Sequence, residues 1–402
     1  MRGEQGILAS YSRYNCGMRV ICAPDSFKGS LSAGEVAAAM AAGVARAAPR
    51  AQVRQLPLAD GGEGTVAALV AARGGATIKV AARDPLDRPI DAEIGLLGGA
   101  VVVAEMASAS GLPLLRLDER NPFRAGTYGT GQLIRAALDQ GASEIILGVG
   151  GSATMDGGAG ALAALGARLL DQDGRPIPPG NAGLAELATI DLEDLDPRLR
   201  TVRLRVACDV RNPLVGPEGA AAVFGPQKGA RPTDIAVLDA NLARLAAVLA
   251  RDLGITVANL PGAGAAGGLA AGLLAIGARS EPGIELVLET LDFDRHLEGA
   301  ALVLTGEGRI DRQTAHGKVI SGVLAHARRA RIPVIALGGS IRGGELGSLY
   351  AAGLAAAFPI TDGPMSYAKA FSRAAGLLRQ TSERVTRLWL AAGQGNRASR
   401  DT

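Results

Sequence analysis

Cysteine is nearly missing from this chain. Cys16, Cys22 and Cys208 are odd in number and show no CxxC spacing, which excludes a disulfide framework and offers no zinc-ligand pattern. A reducing, cytoplasmic setting is the expectation. Aromatic residues are only 3% of the chain against 48% hydrophobic residues overall, so the core must be built from Ala, Leu, Val and Ile. The net charge is small, +3 over 402 residues, and the basic residues are scattered; nothing in that balance suits nucleic acid or a membrane surface. The three histidines, His296, His316 and His326, lack metal-ligand spacing. No GxxxxGK[ST] run is present and no HRD or DFG set, which excludes a P-loop enzyme and a protein kinase. Residues 1–17 have no apolar segment of signal-peptide type and read as a disordered extension ahead of Met18. The longest uncharged stretch, 253–278, contains Pro261, Asn259 and seven glycines. Its hydrophobic drive is weak, so a loop followed by a buried small-residue helix is expected there in place of a membrane span.

What the chain does have is a repeated alternation of short apolar runs, glycine-rich turns and helical stretches. Met18–Ala23 reads as a strand, followed by the loop PDSFKGSLS and a helix from about Ser32 to Ala48, with Ser32 and Glu35 spaced as a capping box. Ala51–Leu58 is a second strand, ending in ADGGEG, and Glu63–Ala72 a second helix. From Thr77 to Glu105 the pattern changes to alternating runs that suggest an antiparallel or mixed sheet. Gly126–Gln140 reads as a helix, and 143–160, SEIILGVGGSATMDGGAG, as a strand, a glycine loop and a helix start, with the helix running over Ala161–Leu170. Val202–Cys208 is a strand and Thr233–Leu253 a long helix. Ala300–Leu304 is a strand emptying into TGEGRIDRQTAHGK, and the strands Ile332–Leu337 and Gly353–Ala357 precede a final helix near Ser366–Ala391. An α/β architecture with parallel sheet follows, and the return of this grammar after an antiparallel segment suggests an insertion into a discontinuous domain.

The loop at 148–158 aims backbone N–H groups at one point, which suits a phosphate or carboxylate; a tight turn serving packing alone is the competing explanation. Only five lysines occur, and three of them, Lys28, Lys228 and Lys318, sit in glycine-rich loops where a compact ammonium can meet phosphate oxygens. His316, beside Gly317 and Lys318, is a candidate substrate contact. Asp25, Asp60, Asp156, Asp209, Asp311 and Asp362 each follow a strand directly or within one loop. In open parallel sheets ligands gather beyond the carboxyl ends of strands, so this set carries the parts of Mg²⁺-assisted phosphoryl transfer. Taken singly, each of these aspartates also fits a helix cap or an Asx-turn. Gly148, Gly150 and Ala153 match a GxGxxA dinucleotide fingerprint, with Asp171 at roughly the ribose-binding distance, and this keeps an NAD-dependent oxidoreductase open as the alternative.

The motifs APDSFKGSLSA (23–33), LADGGEGT (58–65), DPLDRP (84–89), GTGQLI (129–134) and GVGGSATMDGGAG (148–160) together resemble the type I glycerate kinases. So do ACDVRNPLVGPEGAAAVFGPQKGA (207–230), GAAGGL (264–269) and TGEGRIDRQTAHGKVISGV (305–323). The resemblance implies transfer of the γ-phosphoryl group of ATP to D-glycerate with Mg²⁺, giving 2-phosphoglycerate, with 3-phosphoglycerate as the other product to consider and a homodimer left open. It also implies a flavodoxin-like α/β domain, discontinuous over 18–83 and 265–391, with a second α/β domain inserted at 84–264 and a tail at 392–402. Asp60 would be the base and Lys28 a catalytic charge. Gly150, Gly151, Ser152, Lys228 and Lys318 would hold phosphate oxygens, Arg309 and His316 the substrate, and Asp209 and Asp156 the metal.

Overall fold

The computed structural model describes residues 17–315 and 318–398; residues 1–16, expected to form an extension, and His316 with Gly317 lie outside them. Thirteen strands run through the described residues. In chain order they are β1 (Arg19–Cys22), β2 (Gln52–Gln55), β3 (Ala76–Arg83), β4 (Pro89–Leu97), β5 (Val101–Glu105), β6 (Glu144–Gly148), β7 (Arg168–Leu170), β8 (Thr189–Asp191), β9 (Arg203–Ala207), β10 (Arg279–Glu281), β11 (Leu302–Ile310), β12 (Val334–Ile341) and β13 (Leu354–Pro359). They fall into two compact units, 1–59 with 287–402, and 60–286.

The first unit holds a five-stranded sheet in the order β13-β12-β11-β1-β2, parallel throughout. Renumbered within the unit, that order is 2-1-3-4-5, the flavodoxin-like winding, whose switch point lies between β1 and β11. Apolar strands buried on both faces account for it: Val20, Ile21 and Cys22 of β1 and Leu302, Val303 and Leu304 of β11 are all shut from solvent. The helix Ala33–Ala47 starts with the expected capping box, Glu35 N–H donating to Ser32 Oγ at 3.3 Å and Ser32 N–H to Glu35 Oε2 at 2.8 Å. This helix packs closely on Ala374–Ala398. A Cβ at Gly43 would stand 2.3 Å from the Arg379 carbonyl oxygen. Gly43→Ala is therefore expected to lower stability by about 1–3 kcal/mol through overpacking, outweighing the ~1 kcal/mol helix-propensity gain. Urea unfolding of the variant checks it.

The second unit holds a six-stranded mixed sheet, β10-β9-β6-β5-β4-β3. The β3–β4 and β4–β5 pairs are antiparallel, as the alternating runs at 77–105 suggest, and the pairs from β5 to β10 are parallel. The second unit begins at Asp60, ahead of the expected Asp84, because β3 forms a long hairpin with β4, and Asp84 sits in its turn, accepting from Leu86 N–H and Arg88 N–H. It runs on to 286, beyond the expected 264, because β10 adds to β9 and Leu269–Ala275 packs into the core beneath. That helix is the buried small-residue segment expected within 253–278, and among the described residues no helix is long and apolar enough to cross a membrane.

Three segments differ from expectation. The helix expected over Ala161–Leu170 spans Ala159–Ala164, since Gly166 takes a positive φ and β7 follows to pair with β8. The stretch TGEGRI, expected as loop, is strand, because β11 keeps its ladder with β12 through Ile310↔Ile341. The final helix is two, Tyr367–Ser372 and Ala374–Ala398, divided at Arg373.

Candidate active site

In the second unit the parallel strands β5, β6, β9 and β10 end in one row, with Glu105 paired to Gly148 and Gly148 to Ala207 in register, and Ala207 to Glu281. The segment Asp60–Gly62 lies across this row. Gly61 has φ +88, and a Cβ there would stand 2.6 Å from the Ala207 side chain; a Cβ at Gly283 would stand 1.9 Å from the Asp60 carbonyl oxygen. Only glycine permits both approaches, one by its left-handed backbone and both by its lack of side chain. The sequence thus presses the ADGG loop onto the strand ends, and the Asp60 carboxylate comes near enough to Asp209 for the two charges to interact. Asp60 Oδ1 accepts from Gly62 N–H at 3.2 Å, an Asx-turn that aims the side chain. Asp209, two residues past β9, accepts from Gly283 N–H at 2.7 Å.

Asp209 keeps solvent access, yet the protein around it withdraws it from water, and the neighbouring Asp60 charge adds to that, so its carboxyl is pushed up to about 6. Among the described residues Asp209 Oδ2 takes no hydrogen bond. Glu105, which the sequence reading missed, closes the β5 end. It accepts from Val66 N–H at 2.8 Å at the start of the helix Thr65–Arg73, and burial raises its pKa. Its one sequence signal is an acid ending the apolar run AVVVAE.

The glycine loop leaves β6 at Gly148 and is fastened by Leu112 N–H donating to Gly151 O and Ala153 N–H to Ser110 O. Gly150 and Gly151 are not buried, and among the described residues their amide hydrogens meet no acceptor. Beneath the loop the chemistry is different. Lys228, expected to meet phosphate oxygens directly, is 1% exposed and donates to Ser152 Oγ at 2.6 Å and Thr154 O at 2.7 Å. Burial lowers its pKa to about 7, with the Asp156 charge acting in opposition. Asp156, expected as a metal ligand, is fully buried and accepts from Thr127 N–H, Thr127 Oγ1, Gly158 N–H and Gly160 N–H at 2.8, 2.8, 3.2 and 3.1 Å. Both of its oxygens are engaged by protein donors, Oδ2 by three and Oδ1 by one, and the residue is shut from solvent, which fits an internal structural anchor better than a metal ligand. Burial raises its pKa against those four bonds. Ser152 is itself 6% exposed, its hydroxyl turned to Lys228.

The dinucleotide reading of GVGGSA fares poorly. The helix that ends the loop starts only at Ala159, well past the GxGxxA residues 148–153, and lasts six residues, so the fingerprint glycines do not open a helix as dinucleotide binding asks. Asp171 is occupied in a turn, accepting from Asp173 N–H and Arg175 N–H.

In the first unit, the turn after β1 presents Lys28 exposed, between Phe27 and Leu31, which bridge each other. It lies against β11, a Cβ at Gly308 standing 3.5 Å from Lys28 N. Arg309 is exposed and pairs with Asp311 at 3.2 Å. Lys318 precedes the helix Val319–Ala330 as its N-cap residue. Among the described residues no group of three or more His, Cys, Asp or Glu side chains is placed to hold a metal ion; Mg²⁺ binds through one or two carboxylates plus substrate phosphates and water, so a pair suffices.

The glycerate kinase family profile matches residues 20–390. A glycerate kinase of Bacillus subtilis is 50% identical over 370 residues, 92% of this chain and 97% of the relative. The glycerate 2-kinase of Escherichia coli K12 is 47% identical over 345 residues, 85% of this chain. A crystal structure of a Salmonella typhimurium LT2 protein described as glycerate kinase 2 superposes with a TM-score of 0.85 at 47% identity, covering 94% of this chain and 99% of that one.

Proposed function

The chain belongs to the glycerate kinase family, and from that premise we propose that it transfers the γ-phosphoryl group of ATP to the 2-hydroxyl of D-glycerate, giving 2-phosphoglycerate and ADP. The observation that carries the reading is the carboxylate pair Asp60 and Asp209, set on one row of strand ends beside a loop with unclaimed amide hydrogens. The 2-position rests on the name of the Escherichia coli relative.

Phosphoryl transfer asks a protein mainly for positioning and charge stabilisation. Asp60 accepts the proton of the substrate hydroxyl as its oxygen bonds to the γ-phosphorus and the bond to the bridging oxygen of ADP breaks. The amide hydrogens of Gly150 and Gly151 take phosphate oxygens. Ser152, Lys228 and Asp156 hold that loop from below, a positioning role in place of direct contact. Asp209, with one oxygen open and a carboxyl pushed up first by burial and then by the Asp60 charge, fits a cation, so Mg²⁺ would be held by Asp209 and would supply neutralisation of the phosphate charge. Lys28 and Lys318 stay candidates for phosphate oxygens from sequence alone, and Arg309 for a carboxylate, which a guanidinium fork matches with two parallel hydrogen bonds. His316 stays a candidate substrate contact from sequence alone.

ADP release measured with D-glycerate, and without it, tests the reading: glycerate-dependent release is expected, and glycerate-dependent NADH chemistry in its place would overturn it. A pH profile is expected too. Asp209 must be ionised to hold a cation, so kcat/KM falls on the acid side with a midpoint near about 6. Because the folded value lies above the ordinary 3.8, the stability owed to neutral Asp209 is full below 3.8 and lost as pH rises through about 6. Rate measurements from pH 5 to 8 check the limb, which Asp209→Asn should abolish along with most of the activity.

A further inference from the structure

Within the first unit, the strands β1 and β2 carry at their starting ends a feature unrelated to the loops after their carboxyl ends. Arg19 opens β1 in register with Gln52 of β2, and Arg54, two residues on, shares a face with Gln52. The helix Phe293–Leu297 brings Arg295 and His296 to the same place, preceded by Asp292 in a left-handed backbone conformation, φ +51. These side chains line one cavity of about 490 Å³, a volume ordinary for a small-molecule site. Arg19 is fixed by donating from Nη1 to Glu298 O at 2.7 Å. Most exposed arginines elsewhere are paired: Arg88 with Glu119, Arg198 with Asp139 and Asp196, and Arg231 with Asp234. Among the described residues Arg54 and Arg295 have no such partner. Three guanidiniums facing one acid leave an excess of positive charge around a concave space.

We propose that this cavity is a second ligand site, for a small organic anion carrying a phosphate or at least two carboxylates, bound by the forks of Arg19, Arg54 and Arg295 with His296 at its wall. Guanidinium planes match both groups in geometry and charge. The concentration of charge is felt by His296, whose pKa is lowered by partial burial first and then by the Arg54 charge, with Arg295 and Arg19 adding and Asp292 opposing. An anion seated among the arginines reverses that repulsion, so His296 would titrate at higher pH when the site is filled. A solvated cluster of unpaired arginines is the competing account, and it predicts no saturation.

The test follows the three histidine ring resonances by NMR in the full chain, with inorganic phosphate and with citrate as separate probes and chloride holding ionic strength constant. Saturable binding of at least one probe is expected, with the His296 midpoint moving upward. Phosphate or citrate as the tighter probe tells which of the two anionic groups the site prefers. In R54Q/R295Q, affinity should weaken by about tenfold or more, since two charge-assisted forks are removed, while glycerate phosphorylation without added anion is unchanged. R54Q alone, a single exposed position, guards against loss of fold and should show an intermediate loss. Absence of saturation with both probes, or equal affinity in wild type and R54Q/R295Q, overturns the proposal.

Discussion

Asp60→Asn is expected to lower kcat by about 10²–10⁴-fold, the range that a positioned general base supplies, with the fold intact. The substitution is informative because it changes so little else. Asparagine keeps Oδ1 as the acceptor for Gly62 N–H, so the Asx-turn persists, and the tight approach of Gly283 to the Asp60 carbonyl involves backbone alone. What is lost is the ability to take a proton. The variant also removes the charge that helps raise Asp209, so the acid limb of kcat/KM should move to lower pH in whatever activity remains. Turnover within a few-fold of wild type, in a protein with an unchanged unfolding profile, would show that Asp60 is not the base.

Lys228→Met is expected to cut kcat/KM by about a hundredfold and to destabilise the protein by about 2–4 kcal/mol, although Lys228 touches neither bulk solvent nor substrate. Methionine fills much of the same space without donors, leaving Ser152 Oγ and Thr154 O without the bonds that the ammonium makes and removing a positive charge that interacts with Asp156. The loop bearing the Gly150 and Gly151 amide hydrogens then loses its underpinning. A purely structural lysine would give the stability loss alone. The pH dependence separates this group from others: its folded pKa, about 7, lies below the ordinary 10.5, so between those values the unfolded chain binds more protons than the native one. Wild-type stability owed to this group therefore rises with pH from about 7 to about 10.5. Urea unfolding at pH 7 and pH 9 should show that rise in wild type and its absence in K228M.

Much of the fold was legible because it rests on local rules. The Ser32–Glu35 capping box, the alternation over 77–105 and the uncharged helix at 269–275 all appear where their residues require them. The unit boundary was not, since nothing in the residues 60–83 says that their strand will pair forward with β4 and not back with β2. TGEGRI reads as loop from composition, and only the ladder with β12 makes it strand. The site shows the same division. Asp60 and Asp209 were singled out by their place after apolar runs, and the loop 60–62 lies across the row of strand ends that Asp209 follows. Lys228 and Asp156 were singled out by the same loop chemistry, but their burial beneath the loop depends on Thr127, Ser152 and Thr154, contributed by other segments. A lysine in a glycine-rich turn looks the same in sequence whether it points out to a ligand or in to a carbonyl. Glu105 went unread because an acid closing a strand gives no motif of its own.

Phosphorus NMR of the reaction of D-glycerate, ATP and Mg²⁺ with wild type and with D60N in parallel tests the central claim most directly. A 2-phosphoglycerate signal growing with the ADP signals in wild type, and at least about a hundredfold slower in D60N, is the result expected. No phosphoglycerate from the wild-type enzyme, or equal rates from the two proteins, would contradict a phosphoryl-transfer site built on the strand ends of the second unit.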